Sequence, residues 1–341
     1  MTPPILLAVP NVSEGREEAT IAAIGQAFSG AGLRHERASG AGETSAGSAL
    51  GVRLLDVHSD PDHHRSVFTL AGRQGELAQA LLAGARTAVE RIDVMSRARG
   101  ERSESGQHPH VGALDVAPIV YLQAESRGAA CAEALVVADR IGDELGVPVF
   151  LYGVLSRTER RPARGRAELR RGGVGLLARR IAAAESSAVA LPQAQERGSA
   201  GKIALSPDFG PCALHATAGA SLVAARPPLV AFNLQLAPPA TLADARRIAA
   251  LIREGGELGL PGVRAIGVQL SRGLAQLSMN VERPFEVPLS EILEAAGRHA
   301  RVQSAELVGL APRVALEGFP EDVPMPGFDA ERHVIENALG C

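Results

Sequence analysis

The sequence predicts an α+β fold made of two split β-α-β units, one in each half of the chain. Three observations carry this expectation. The chain has 341 residues, enough for one large or two ordinary domains with a buried core. Short apolar runs alternate with segments whose apolar residues recur every three or four positions. The order strand, helix, strand, strand, helix, strand occurs twice.

In the first half, Ile5–Val9 is a short apolar strand closed by Pro10, which has no N–H for a ladder. A helix over Glu17–Phe28 follows, with Ser13 as its expected N-cap and Arg16, Glu17 and Glu18 in its entry. Val52–Asp56 and Ser66–Leu70 read as strands separated by a polar loop. Gln74–Ile92 is helical, with Leu77, Leu81, Ala85, Val89 and Ile92 on one face. Val116–Leu122 is the fourth strand. A further helix over Ala129–Leu145 stops at Gly146, and Val147–Tyr152 adds one more strand.

The second half repeats the order. Leu229–Leu234 is a strand in which Asn233 echoes Asn11 as a strand-end residue. Leu242–Glu254 is a helix with Leu242, Ala245, Ile248, Ala249 and Ile252 on its apolar side. Val263–Leu270 and Leu274–Val281 form a hairpin around the turn Ser271-Arg272-Gly273. Leu289–His299 is helical and Val302–Leu307 closes the unit. Each half is therefore expected to be a ferredoxin-like subdomain, an antiparallel or mixed sheet with helices on one side. The two sheets are expected to pack face to face, with a ligand in the crevice between halves. The boundary is placed between an N-terminal subdomain, 1–228, and a C-terminal subdomain plus tail, 229–341.

Three segments read as peripheral. Ser29–Leu50, rich in Gly, Ala and Ser, is expected to be an inserted loop, and Ser186–Lys202 a polar loop near the join. The tail Gly318–Cys341 opens with Pro320, Pro324 and Pro326, continues as a short helical pattern, and is expected to cover a surface.

A net charge of -3 and a pI near 6.3 argue against a nucleic-acid-binding surface. The one basic run, Arg157–Arg180, reads either as a solvated helix face and turn or as an electropositive rim for an anionic substrate. Cys131, Cys212 and Cys341 have no disulfide-like spacing. With no charged-then-apolar leader and no apolar stretch long enough to span a bilayer, a cytoplasmic location is expected.

Chemistry concentrates in three motifs. Gln107-His108-Pro109-His110-Val111-Gly112-Ala113-Leu114-Asp115 carries two imidazoles in a proline-locked turn at the mouth of a strand. A group titrating near neutrality there can move protons for a bound substrate. Val9-Pro10-Asn11-Val12-Ser13-Glu14-Gly15-Arg16 opens the chain, and Pro207-Asp208-Phe209-Gly210-Pro211 stands in its middle. A fourth segment, Asp56–Arg65, holds three carboxylates and three imidazoles in ten residues. It reads as a metal site, as a polar active-site loop with Arg65 facing an anion, or as a solvated turn.

Taken in order, these segments resemble the formimidoyltransferase domain of glutamate formimidoyltransferases, found alone or fused to a cyclodeaminase. The resemblance continues through Ala231-Phe232-Asn233-Leu234, Gln276-Leu277-Ser278-Met279-Asn280 and Glu306-Leu307-Val308-Gly309-Leu310, so it covers nearly the whole chain. It implies a transferase that moves a formimino group from N-formimidoyl-L-glutamate to tetrahydrofolate, a co-substrate, with no metal. It also implies small-molecule substrates only, a homodimer, and a place in histidine breakdown and one-carbon metabolism. His108 would be the catalytic acid and base. Asn11, Arg65, His110, Asp115 and Asn233 would hold the substrate. The stretch Asp208, Gly210, Pro211, Cys212, Ala213, Leu214, His215, Ala216, Thr217, Ala218 and Gly219 would hold the folate.

Asp115 either orients His108 or serves as a strand-end acceptor. Two residues depart from the family pattern: His110 stands where arginine is usual, and Ala218 replaces an aromatic. No cyclodeaminase segment follows, so deamination of the product is expected from another protein. The rival readings are a formyl transferase using 5-formyltetrahydrofolate, a folate-binding module without catalysis, and a metallohydrolase built on His58, His63 and His64.

Overall fold

The structure, a computed structural model, describes residues 3–38, 51–100, 109–158, 163–189 and 204–340. His108, residues 39–50 and 190–202 of the two expected loops, and Cys341 lie outside the described residues. The chain divides into two units, Met1–Leu54 with Ser59–Arg226 and Leu55–His58 with Pro227–Cys341.

The first unit runs β1 (Ile5–Ala8), β2 (Asn11–Val12), α1 (Glu18–Ala38), β3 (Arg53–Asp60, whose Leu55–His58 count with the second unit), β4 (Arg65–Arg73), α2 (Leu77–Arg91), α3 (Val94–Ala98) and β5 (Leu114–Val120). It continues through α4 (Arg127–Leu145), β6 (Val149–Leu151), α5 (Arg166–Arg170), α6 (Gly173–Val189) and β7 (Ser221–Arg226). Both β1 and β2 lie between β4 and β5 and are antiparallel to each, so they act as one strand interrupted at Val9 and Pro10. Pro10 cannot donate, yet its carbonyl accepts from Phe68 N–H at 3.0 Å and keeps the ladder closed across the break. β5, β7 and β6 continue the sheet in parallel, which makes it mixed.

The β-α-β-β-α-β order is as expected, but several bounds move. α1 runs to Ala38, into the segment expected to be a loop: after Gly32 the chain reads Leu-Arg-His-Glu-Arg-Ala, mostly good helix formers. Ser13 is not its N-cap: the Ser13 hydroxyl donates to Gly112 O at 2.7 Å. Glu14 Oε1 instead accepts the N–H groups of Gly15, Arg16 and Glu17 at 3.1, 3.0 and 3.2 Å. The polar loop expected over Asp56–Arg65 shrinks to residues 61–64, since β3 extends to Asp60. β7, a strand with no alternating polar face, had no period-2 signature in the sequence.

α1 and α2 cover one face of this sheet through Ile24, Phe28, Leu77, Leu81 and Ala85, packed with Phe68 and Leu70. The Phe28 and Phe68 rings meet edge to face with centroids 5.1 Å apart.

The second unit follows the sequence expectation closely. β8 (Val230–Leu236), α7 (Leu242–Ile252), β9 (Val263–Gln269), β10 (Ala275–Val281), α8 (Leu289–Gly297) and β11 (Val302–Val308) form a four-stranded sheet ordered β11-β8-β10-β9, antiparallel throughout. That is the ferredoxin-like order. Thr241 and Asp244 cap α7 reciprocally. Val230, Phe232, Leu234 and Leu236 face the helices with Ile248, Ile252, Leu289 and Ile292. The tail packs on this core through Phe319, Val323, Met325 and Phe328, then forms α9 (Ala330–His333) and α10 (Ile335–Leu339).

α7 crosses β9 at Gly267, where an added Cβ would sit 2.4 Å from Arg246 N and 2.5 Å from Ala245 C. Both are backbone atoms, so the helix would have to lift. Gly267→Ala is therefore expected to destabilise the protein by about 1–3 kcal/mol in chemical denaturation, the usual cost of overpacking.

Candidate active site

Asp115 owes its position to a β-bulge. Asn11 pairs with Val116 and Val12 with Leu114, so Asp115 between them has no cross-strand partner on β2. An unpaired bulge residue is free to turn its side chain out of the ladder. Here the carboxylate is buried, and both oxygens are used: Oδ1 accepts Val111 N–H at 2.8 Å, and Oδ2 accepts Arg170 Nη2. Asp115 thus ties the turn that carries His110 to α5. The orienting of His108 falls outside the described residues.

The N-terminal motif and the histidine-bearing motif meet beside this bulge with residues 218–220, at the end of the expected folate stretch. Ser13 N–H donates to Ala113 O at 2.9 Å, and the Ser13 hydroxyl to Gly112 O. Ala113 N–H donates to Ala218 O at 2.9 Å, and Ala220 N–H to Val111 O at 2.9 Å. Glycines permit this crowding. A Cβ on Gly112 would lie 1.8 Å from Ala220 O, and one on Gly15 would lie 2.2 Å from Asp60 O and 2.5 Å from Arg65 N. Gly219, at φ +71°, approaches Val111 O in the same way. Gly210, at φ +78°, stands against Gly142 of α4 and Val147 O. Both glycines of the expected folate stretch thus face the chain's own backbone.

Between them the stretch is open. Gly210, Pro211, Cys212, Ala213 and Ala216 are exposed, Leu214, His215 and Thr217 half-buried, and Ala218 buried. His215 closes a small loop: its N–H donates to Gly219 O at 2.9 Å, and its Nδ1 accepts Ala218 N–H at 3.1 Å. Asp208 holds the other end by accepting Leu151 N–H at 2.7 Å and pairing with Arg164.

Arg65 opens β4 and is half-buried. Burial, then the charges of Arg170 and Arg166, push its pKa down to about 10, against the pull of Asp115 and Asp60. The histidines of the acidic segment go to separate partners. His63 Nε2 lies 3.5 Å from Asp60 Oδ2, and His64 Nδ1 accepts Gly15 N–H at 3.1 Å. His64 has a left-handed backbone at φ 49°, in the tight turn between β3 and β4. Among the described residues no group of three His, Cys, Asp or Glu side chains is gathered as metal ligands.

Asn11 is buried, and its amide donates to Val9 O at 3.1 Å across the strand break. Asn233 does not end its strand. It sits in the middle of β8, between Ser278 and Glu306, and donates to Glu306 Oε2 at 2.7 Å. The strand runs two residues past Leu234 because Leu236 still reaches the apolar core.

Two functional candidates escaped the sequence reading. Arg170 lay inside the basic run read as a solvated face or a rim, yet it is buried. Arg97 of α3 donates to Ser13 O at 2.6 Å and Glu14 Oε2 at 2.8 Å. Neither has a local signal, because each partner is remote in the chain.

Residues 5–226 match the formiminotransferase domain, N-terminal subdomain. The chain belongs to the formiminotransferase family. It is similar to the glutamate formimidoyltransferase of Streptococcus pyogenes serotype M1, 32% identical over 346 residues, 98% of each chain. It is similar also to the glutamate formimidoyltransferase of Thermoplasma acidophilum, 30% identical over 338 residues, covering 97% of this chain and 96% of that one. The formimidoyltransferase-cyclodeaminase of Sus scrofa is 35% identical over 320 residues, 90% of this chain and 50% of the longer one. The surroundings of the Asp115 bulge are the candidate active site. No described helix is long and apolar enough to cross a membrane.

Two outcomes test this arrangement. Burial acts to raise the Glu14 pKa, but hydrogen bonds from Arg16, Glu17 and Arg97 and the charge of His64 bring it below the ordinary 4.5. A depressed carboxylate adds stability that is complete above 4.5 and is lost as pH falls through the lower folded value. Glu14→Gln is thus expected to lower the urea midpoint at pH 7 and to differ less from wild type near pH 3. Asp115→Ala strands a buried guanidinium and is expected to cost about 3–5 kcal/mol in the same measurement.

Proposed function

We propose that this protein is a glutamate formimidoyltransferase, passing the formimino group from N-formimidoyl-L-glutamate to tetrahydrofolate in histidine degradation. The observation that carries this is the convergence of the Asn11–Gly15, Val111–Asp115 and Ala218–Ala220 segments beside one bulged strand. Family membership and near full-length relatives named glutamate formimidoyltransferase support it.

The chemistry sets what the residues must do. N5 of the reduced folate adds to the imine carbon of the donor, giving a tetrahedral intermediate. N5 then loses a proton, the glutamate nitrogen gains one, and the C–N bond to glutamate breaks. One imidazole with a pKa near ambient pH serves both transfers, for a gain of roughly a hundred- to ten-thousand-fold. His108, next to Pro109 in the turn, is that group in this reading. Arg65 meets a carboxylate, and Asn11 and His110 contact the donor. Asp115 acts by fixing the turn through Val111. The exposed stretch from Gly210 to Ala213, with His215 to Gly219 behind it, receives the folate, with tetrahydrofolate as co-substrate and no metal.

The same reading includes a cytoplasmic homodimer with small-molecule substrates, and a division into subdomains 1–228 and 229–341. His108→Ala is expected to abolish turnover while the circular dichroism spectrum and reduced-folate binding persist. A variant that still turns over near the wild-type rate would remove His108 from this role.

A further inference from the structure

α3 is only five residues long, yet each of its ends holds a distant part of the chain. At its start the N–H groups of Val94 and Met95 both donate to Thr217 O, at 3.0 and 3.2 Å. Val94 is buried, and a Cβ on Gly219 would lie 3.2 Å from its Cγ2. At the other end Arg97 Nη1 donates to Ser13 O at 2.6 Å and Nη2 to Glu14 Oε2 at 2.8 Å. Asp93 fixes the turn between them by accepting Ser96 N–H at 2.9 Å. The close of the expected folate stretch and the N-terminal motif are thus joined through one short helix.

The two sides of this joint are not equally replaceable. Without Arg97, Ser13 keeps its N–H on Ala113 O and its hydroxyl on Gly112 O. Glu14 keeps the three N–H groups at the entry to α1, and its carbonyl accepts Ser66 Oγ at 2.6 Å. The N-terminal motif is therefore held several times over. α3 instead loses both guanidinium bonds to that motif. The Arg97 and Glu14 side chains are 8% and 6% exposed, so solvent screens the pair little.

The folate side responds to where α3 stands. The loop from His215 to Gly219 is closed on itself by His215 N–H to Gly219 O and by Ala218 N–H to His215 Nδ1. Ala218 O and Ala220 N–H tie its downstream side to the turn before β5, and α3 ties the side that carries Thr217.

We infer that Arg97 is a positioning residue for the reaction: through α3 it sets Thr217 and the His215–Gly219 loop in register with the N-terminal motif, and so shapes the folate end of the site. This rests on the transferase reading and adds to it a residue that acts without touching either substrate.

The purified enzyme is assayed with N-formimidoyl-L-glutamate and tetrahydrofolate, each varied in turn, as wild type, Arg97→Gln and Arg97→Lys. Arg97→Gln is expected to raise KM for tetrahydrofolate by roughly two- to thirtyfold, the reach of a residue that works through others, with donor KM within about twofold. Arg97→Lys keeps a charge for Glu14 but not the fork that also reaches Ser13 O, so its rise should be smaller. A residue that only stabilises the fold would lower kcat by shrinking the active fraction and leave both KM values in place. That result overturns the positioning role, as does a rise shared equally by the two substrates. If Arg97→Gln does not fold, Arg97→Lys decides alone: a raised KM for tetrahydrofolate supports the role and an unchanged one overturns it.

If wild type shows no turnover, the transferase reading fails, and amide hydrogen exchange tests the coupling by itself. Faster exchange in Arg97→Gln or Arg97→Lys confined to residues 93–97 and 215–220 supports it. Exchange that is unchanged there, or raised evenly along the chain, overturns it.

Discussion

The buried pair of Asp115 and Arg170 is the constraint around which the first unit is arranged. A carboxylate at a bulge has no ladder neighbour, and a buried one must find donors elsewhere. Asp115 finds them in a backbone N–H four residues upstream and a guanidinium on α5. Such a pair need not add stability over an apolar replacement. What it adds here is position, since it joins the mouth of β5, the turn before it and a helix from much later in the chain.

Close backbone approach is the second constraint. Gly15, Gly112 and Gly219 stand where a single Cβ would meet a carbonyl oxygen. The motifs are therefore glycine-bearing because strands and turns converge there, independently of any ligand. In the expected folate stretch, Gly210 to Ala213 and Ala216 are presented outward. In the second unit the corresponding economy is polar. Asn233, Gln276 and Ser278 are buried on the sheet face away from the helices, where apolar residues would be ordinary.

Much of this was legible in the chain. The second unit follows the sequence reading because amphipathic helices α7 and α8 and alternating strands β8 to β11 each declare their period locally. The first unit is less so. Its parallel strand β7 is buried and carries no alternation, and α1 runs on through a stretch whose glycines and serine resemble a linker. Asn233 looked like a strand end because its motif stops at Leu234, whereas the core extends to Leu236.

By itself the sequence determined the α+β class, the doubled strand-helix order and the family. These depend on local periodicity and on short motifs, which a linear chain displays. The tertiary structure decided who partners whom. Asp115 and Arg170 are 55 residues apart, Glu14 and Arg97 are 83 apart, and no spacing rule links either pair. Charge compensation acts across space, so only the folded chain shows which guanidinium has found which carboxylate.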